Sequence, residues 1–193
     1  MLIKASRERP LNIFTDGSGI EGKLGAAAVI DLEDHVAHLA MGDDNTSTVY
    51  AAELRTIEMA LESILTSNEP WTRQAKNGLV IFADSQAALK ALRRPRMPSG
   101  QVYMAGCLDL IHQFAERGIR TELRWNSGHQ GVLGNEIVDK HANEAAQEPD
   151  EIQNPHNLYI RLAATTKRRF RNEANIEWDK RGYWRRPVGR PAG

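Results

Sequence analysis

The stretch that most constrains this chain is Leu79-Val80-Ile81-Phe82-Ala83, five apolar residues in succession followed at once by Asp84. A strand with one wet face alternates polar and apolar side chains. An unbroken apolar run of this length is expected of a strand covered on both faces, as parallel strands flanked by helices are. The chain must therefore supply helices for two sides of a sheet. Asp84 is then placed at the C-terminal end of the strand, where side chains leave the core and meet the loops.

The flanking sequence supplies those elements. Leu11 to Thr15 predicts a strand that ends at Asp16, with Gly17, Gly19, Gly22 and Gly25 as a flexible connection to a second apolar run, Ala26 to Ile30. A third run, His35 to Met41, follows a turn-like Asp31 to Asp34, and three such strands predict an antiparallel meander. The period then changes: Leu54, Ile57, Leu61 and Ile64 predict a helix over about Val49 to Leu65, stopped by Asn68-Glu69-Pro70. Ser85 is placed to cap a short helix carrying Ala88, Leu89 and Leu92, closed by Pro95 and Pro98. A helix over Gln101 to Arg117 ends at Gly118, Thr121 to Trp125 makes the last strand, Gly128 to Gly134 a loop, and Asn135 to Ala146 a helix. The order, three strands, helix, strand, helix, helix, strand, helix, predicts an α/β fold, a mixed sheet with helices packed on it.

The 193 residues suffice for one core and a short appendage. Residues 1–10 read as an N-terminal extension, 11–147 as the domain, 148–157 as a linker, and 158–193 as a basic helix with a disordered tail. Net charge is zero, which excludes binding nucleic acid by bulk electrostatics as a histone does. Its distribution is uneven: residues 1–150 carry roughly 15 basic against 21 acidic side chains, and 151–193 roughly 10 against 4. Cys107 is the single cysteine, so an intramolecular disulfide and a thiolate zinc site are both excluded, and it reads as a small buried hydrophobe. No apolar run approaches the ~18 residues of a membrane span. A soluble protein without a membrane partner is expected, in an intracellular setting, nucleus or cytoplasm.

Three acids stand where acids are costly: Asp16 and Asp84 at the ends of apolar strands, and Glu53 beside the apolar stripe of the first long helix. Asp139 lies on the last helix next to Val138. Carboxylates gathered this way repel and take up protons unless a cation neutralises them. A hard divalent ion with oxygen ligands answers that need, and magnesium suits it, completing its octahedron with water and substrate phosphate oxygens.

The motifs Thr15-Asp16-Gly17-Ser18, Ala52-Glu53-Leu54, Ala83-Asp84-Ser85-Gln86-Ala87-Ala88-Leu89 and Gly128-His129-Gln130-Gly131 through Asn135-Glu136-Ile137-Val138-Asp139 resemble, in order, those of type 1 ribonucleases H, with the flavour of the domains in non-LTR retrotransposon reverse transcriptases. The resemblance covers about Leu11 to Gln147. It implies a ribonuclease H-like fold with a five-stranded mixed sheet, three strands antiparallel then two parallel, flanked by helices. It implies two Mg2+ ions (Mn2+ as an alternative), and hydrolysis of the RNA strand of an RNA/DNA hybrid leaving 5′-phosphate and 3′-hydroxyl ends. It also implies Asp16, Glu53, Asp84 and Asp139 as metal ligands: Asp16 bridging, Glu53 and Asp84 on the leaving-group side, Asp139 on the water side. His129, between glycines in its loop, would assist proton transfer or product release. Gly17, Ser18, Ser85, Gln86 and Asn135 are the expected substrate contacts, with N-capping the alternative for Asn135. A reverse transcriptase context follows from the same resemblance; the oligomeric state is left open.

The pattern departs in places. Cellular members carry polar amides just before the helical glutamate, where this chain has Val49 and Tyr50; Asn45, Thr46, Ser47 and Thr48 are the nearby substitutes. A basic protrusion is reduced to Arg93, Arg94 and Arg96. The tail offers Lys167, Arg168, Arg169, Arg171, Arg185, Arg186 and Arg190 for phosphates. Trp71, Trp125 and Trp178 are expected to be packing residues, and His35, His38, His112, His141 and His156 structural or surface ones. Two other functions compete: a catalytically silent nucleic-acid-binding or assembly module derived from a retroelement, and a strand-transferring integrase or transposase, which the Gly128 to Asp139 motif disfavours.

Overall fold

In the computed structural model the described residues are 9–30, 35–45, 47–95, 101–128 and 131–148. The expected linker and basic helix beyond residue 148 lie outside them, as do His129, Gln130 and Thr46. The strands are β1 (Leu11–Ile20), β2 (Lys23–Ile30), β3 (His35–Asp43), β4 (Leu79–Ala83) and β5 (Thr121–Trp125). The helices are α1 (Val49–Thr66), the single turn α2 (Thr72–Ala75), α3 (Gln86–Arg93), α4 (Gln101–Glu116) and α5 (Leu133–Gln147). They form one five-stranded sheet in the order β3-β2-β1-β4-β5. β2 runs antiparallel to both β1 and β3, while β4 is parallel to β1 and β5 to β4. The expected mixed α/β sheet is the one found.

Each face of the sheet is covered by a different kind of surface. On one, Leu11 and Ile13 of β1 and Leu79 and Ile81 of β4 pack against Leu54, Ile57 and Leu61 of α1 and Tyr103, Cys107 and Phe114 of α4, all fully or nearly fully buried. On the other, Phe14, Ala27 and Val29 meet Val138 and Ala142 of α5. Phe14 and Phe82, partners across the β1–β4 pair, stack there at 4.9 Å. Cys107 is a buried free thiol that donates to the Leu54 carbonyl at 3.3 Å, and burial pushes its pKa up, so it is the inert packing residue expected. No helix among the described residues is long and apolar enough to cross a membrane.

The sheet corrects the sequence reading at its first strand. β1 does not end at Asp16 but continues through the glycines to Ile20, and Glu21 and Gly22, both at positive φ, make the two-residue turn into β2. Apart from Gly22 in the turn, these glycines are clearances rather than a flexible connection. A Cβ on Gly17 would lie 2.7 Å from the Glu53 backbone nitrogen of α1, and one on Gly25 would lie 2.1 Å from the Ala142 carbonyl oxygen of α5. Two helices thus touch the β1–β2 hairpin backbone from opposite faces, an approach only Gly permits. Gly134 serves the same end within α5, where a Cβ would meet the Phe14 ring at 2.4 Å.

Helix boundaries hold more closely. Thr48 caps α1 by accepting the Ala51 N–H at 3.1 Å, and Ser85 caps α3, as expected, by accepting that of Ala88. The last helix is the exception: it opens at Leu133 after Val132, so Asn135 is not its N-cap but a buried residue of its first turn. The short α2 was not foreseen.

Gly25→Ala is expected to destabilise the protein by about 3 kcal/mol, because backbone rather than a movable side chain lies in the way. Gly19→Ala, whose nearest obstacle at 3.0 Å is the Val49 side chain, should cost distinctly less. Urea unfolding of the two variants measures the difference; equal costs would refute the clearance reading.

Candidate active site

The site forms where two strands part company. β1 and β4 are paired from Leu11↔Leu79 up to Thr15↔Ala83, and there β4 ends while β1 continues beside β2 alone. The residues after that last rung are Asp16 and Asp84. Adjacent strands lie about 4.8 Å apart, so register alone sets these two acids side by side. Thr15 fastens the rung by donating its hydroxyl to the Phe82 carbonyl at 3.2 Å.

Glu53 arrives from α1. Because Gly17 lets the α1 backbone touch β1, Glu53 reaches the notch beside Asp16 although its helix covers the opposite face of the sheet from α5. Asp16, Glu53 and Asp84 each present a carboxylate oxygen within 4.8 Å of the others. Asp16 and Glu53 are buried and Asp84 is half-buried. Burial, then the charges of Asp16 and Asp84, raise the Glu53 pKa to about 9, against a smaller lowering by the Gly17 N–H that donates to it. Its other oxygen, Oε2, is buried without a hydrogen-bond partner.

That orphaned oxygen is the test of whether a cation fits. A buried acceptor without a donor is costly. A hard divalent ion seated among the three carboxylates would satisfy it and cancel the repulsion that burial amplifies. The donor set is all oxygen, as magnesium or manganese requires.

The other candidates are distributed around this centre. Asp139 lies half-buried on α5, outside the group of three, one helical turn after the buried Asn135 and one turn before Asn143. Asn143 Oδ1 accepts the Ser18 hydroxyl, which fixes α5 over the strand two residues beyond Asp16. Gly17 contributes its backbone N–H, Ser85 its capping hydroxyl, and Gln86 is exposed with its amide oxygen accepting from Lys90 Nζ at 3.0 Å. His129 falls outside the described residues, but its neighbour Gly128 is beside the site: a Cβ there would be 2.9 Å from Asp84 Oδ2.

Trp125 is the residue the sequence reading misplaced. It is not a packing residue but 54% exposed, and its indole N–H donates to the Asp84 carbonyl at 3.1 Å. The available signal was its position as the last residue of an edge strand, where one face and one side are open. Trp71, by contrast, is buried as expected.

A mixed α/β sheet that gathers three carboxylates at the ends of neighbouring strands defines a site whose residues could hold a divalent cation. The RNase H family matches residues 8–147, and the chain belongs to that family. Among solved structures, the N-terminal RNase H domain of rv2228c from Mycobacterium tuberculosis, solved as a maltose-binding-protein fusion, is similar with a TM-score of 0.54 at 20% identity, covering 71% of this chain and 93% of that one. RNase H1 from Halobacterium salinarum NRC-1 gives 0.51 at 17% identity over 71% and 97%. LC11-RNase H1, isolated from compost by a metagenomic approach, gives 0.53 at 18% over 71% and 95%. These likenesses establish the fold. Among curated proteins, none matches the sequence.

The raised Glu53 pKa has a sign. A carboxyl whose folded pKa is about 9 against an ordinary 4.5 binds its proton more tightly folded than unfolded, so metal-free stability should fall as pH rises through that interval. Glu53→Gln should flatten the dependence and raise the melting temperature at pH 8 in chelator by several degrees, measurable by calorimetry. An unchanged pH profile would show that Glu53 is not the group under strain.

Proposed function

We propose that this chain is a divalent-metal-dependent ribonuclease H that cuts the RNA strand of RNA/DNA hybrids endonucleolytically, leaving 5′-phosphate and 3′-hydroxyl ends. Its motifs are of the kind found in non-LTR retroelement reverse transcriptases, and we read its origin as such a domain. The observation that carries the proposal is the buried, unpartnered Glu53 Oε2 inside a group of three carboxylates at the β1–β4 fork.

Magnesium held by Asp16, Glu53 and Asp84, with Asp139 alongside, would supply polarisation of the scissile phosphate and a more acidic bound water. The remaining work belongs to the chain. The Gly17 N–H donates to the Glu53 carboxylate, whose Oε2 is buried without a hydrogen-bond partner. The Trp125 indole N–H and the Thr15 rung fix the backbone at Asp84 and just before it, which holds that carboxylate beside Asp16. α5, locked by Ser18–Asn143, carries Asp139 toward the same end of the sheet. His129, on the loop that leaves Gly128 beside Asp84, is proposed to move a proton at the leaving 3′ oxygen or to help release product.

Hybrid selectivity requires telling ribose from deoxyribose across the minor groove. The hydroxyl of Thr48 accepts the Ala51 N–H in the α1 cap and Ser47 is buried, so the polar groups next to Val49 and Tyr50 are placed for the helix start. Val49 is 43% exposed one turn before Glu53, and it offers apolar contact where those amides would have offered hydrogen bonds.

End-labelled RNA in a hybrid should be cut in magnesium and left intact in chelator, with single-stranded RNA largely spared. Asp16→Asn should lose more than the roughly 10- to 100-fold that removing an outer-shell partner of a metal costs. Cleavage without a divalent ion, or an Asp16→Asn protein as active as the wild type, would reject the assignment.

A further inference from the structure

Trp125 stands out among the described residues as a large aromatic side chain more than half exposed and bonded directly to a residue of the acidic group. An indole offers two things, one N–H donor and an apolar face. In this protein the N–H is already used, on the Asp84 carbonyl. What remains open to solvent is the face. An indole held at its polar edge is also an indole held in orientation, which removes the entropy cost of ordering it on contact with a ligand.

Resting on the ribonuclease H reading, we propose that Trp125 is a dual positioning residue. Its N–H fixes the Asp84 backbone in the site, and its exposed ring is a packing platform for the sugar and base of a nucleotide adjoining the scissile phosphate. The location is what selects this occupant. A phosphate that reaches Asp16, Glu53 and Asp84 brings its flanking nucleotides within a few ångströms, and Trp125, the last residue of the edge strand β5, is bonded to Asp84 and more than half exposed. Stacking on a π-face accepts any base, so the contact supplies grip without sequence preference. It also suits a body whose charge is net acidic, where basic side chains are not the main source of affinity.

The two halves separate by substitution. Trp125→Phe keeps a ring and deletes the N–H; Trp125→Ala deletes both. On labelled hybrid, Trp125→Ala should raise KM about tenfold with kcat within a factor of about three at saturating magnesium, the scale of one lost base–aromatic contact. Trp125→Phe should keep KM near the wild-type value but require several-fold more magnesium for half-maximal rate, because Asp84 is less firmly placed. A purely structural residue would instead lower kcat and melting temperature together and leave KM unmoved. The second measurement is independent of turnover. In an Asp16→Asn background with calcium, hybrid binding should quench an indole emission that is missing from the Asp16→Asn/Trp125→Phe protein. Unchanged KM in both variants, or hybrid binding with no quenching assigned to position 125, overturns the proposal. Absence of cleavage by the wild type would reject the nuclease reading, and the quenching titration would still decide the role of Trp125.

Discussion

The structure is organised around a repulsion. Three carboxylates whose oxygens lie within 4.8 Å would separate if they were free to, and nothing about them individually favours burial. They stay because each is fixed by backbone rather than by its own side-chain preference. Asp16 and Asp84 follow the last rung of a parallel strand pair, and Glu53 is on a helix whose backbone touches Gly17. The apolar residues of the sheet and of α1 and α4, each contributing about 1.5–3 kcal/mol when fully buried, offset the electrostatic cost. The position of the acids is therefore set by the fold rather than by the side chains themselves.

The same demand explains why the two sheet faces are covered so differently. α1 and α4 bring Leu, Ile, Tyr and Phe and carry most of the core. α5 brings mainly Ala and Gly, and its interface is thin. A larger residue at Gly25, Gly134 or Ala142 would lift α5 from the hairpin by a side-chain thickness. Asp139 and Asn143, on one stripe of that helix, would rise with it, and the Ser18–Asn143 bond would break. Small residues here set the distance between the helix and the notch at some expense of buried area.

Legibility in the sequence followed the range of the interactions. β4, β5, α1 and the cap at Ser85 were readable because hydrophobic period and capping are local signals. The placement of Asp16 and Asp84 was readable because each ends an apolar run. The full length of β1 was not, since a glycine needed for close approach and one needed for a turn look alike until the partner helix is known; Gly17 and Gly25 are of the first kind and Gly22 of the second. Asn135 looked like a cap because it is a capping residue type near a helix start, whereas the helix begins two residues earlier. The approach of α4 to α1 could not be read locally: Arg55 of α1 bridges Glu58 and Glu62 at 2.7 and 2.8 Å, and the Glu58 carboxylate occupies the space beside Gly106 of α4.

Trp125 was misread for a related reason, and the correction bears on how an acidic body holds a polyanion. Among the described residues, the large hydrophobic ones left exposed are Val49, Val102, Trp125, Val132 and Leu133. Val49 precedes Glu53 by one turn, Trp125 is bonded to Asp84, and Val132 and Leu133 open the helix that carries Asp139. Only Val102 is unconnected with an acid of the site. Single exposed hydrophobics need no explanation, but four of five attached to the elements of one notch do. Around a carboxylate cluster a rim of lysines would pair with the acids and compete with a cation for them. Apolar side chains do not. They can contact sugars and bases while leaving the carboxylates to bind the ion, and the ion in turn supplies the positive charge that a phosphate requires. On the ribonuclease H reading, affinity and chemistry are then carried by different kinds of residue, the apolar face of Trp125 for sugar and base and the carboxylates for the ion.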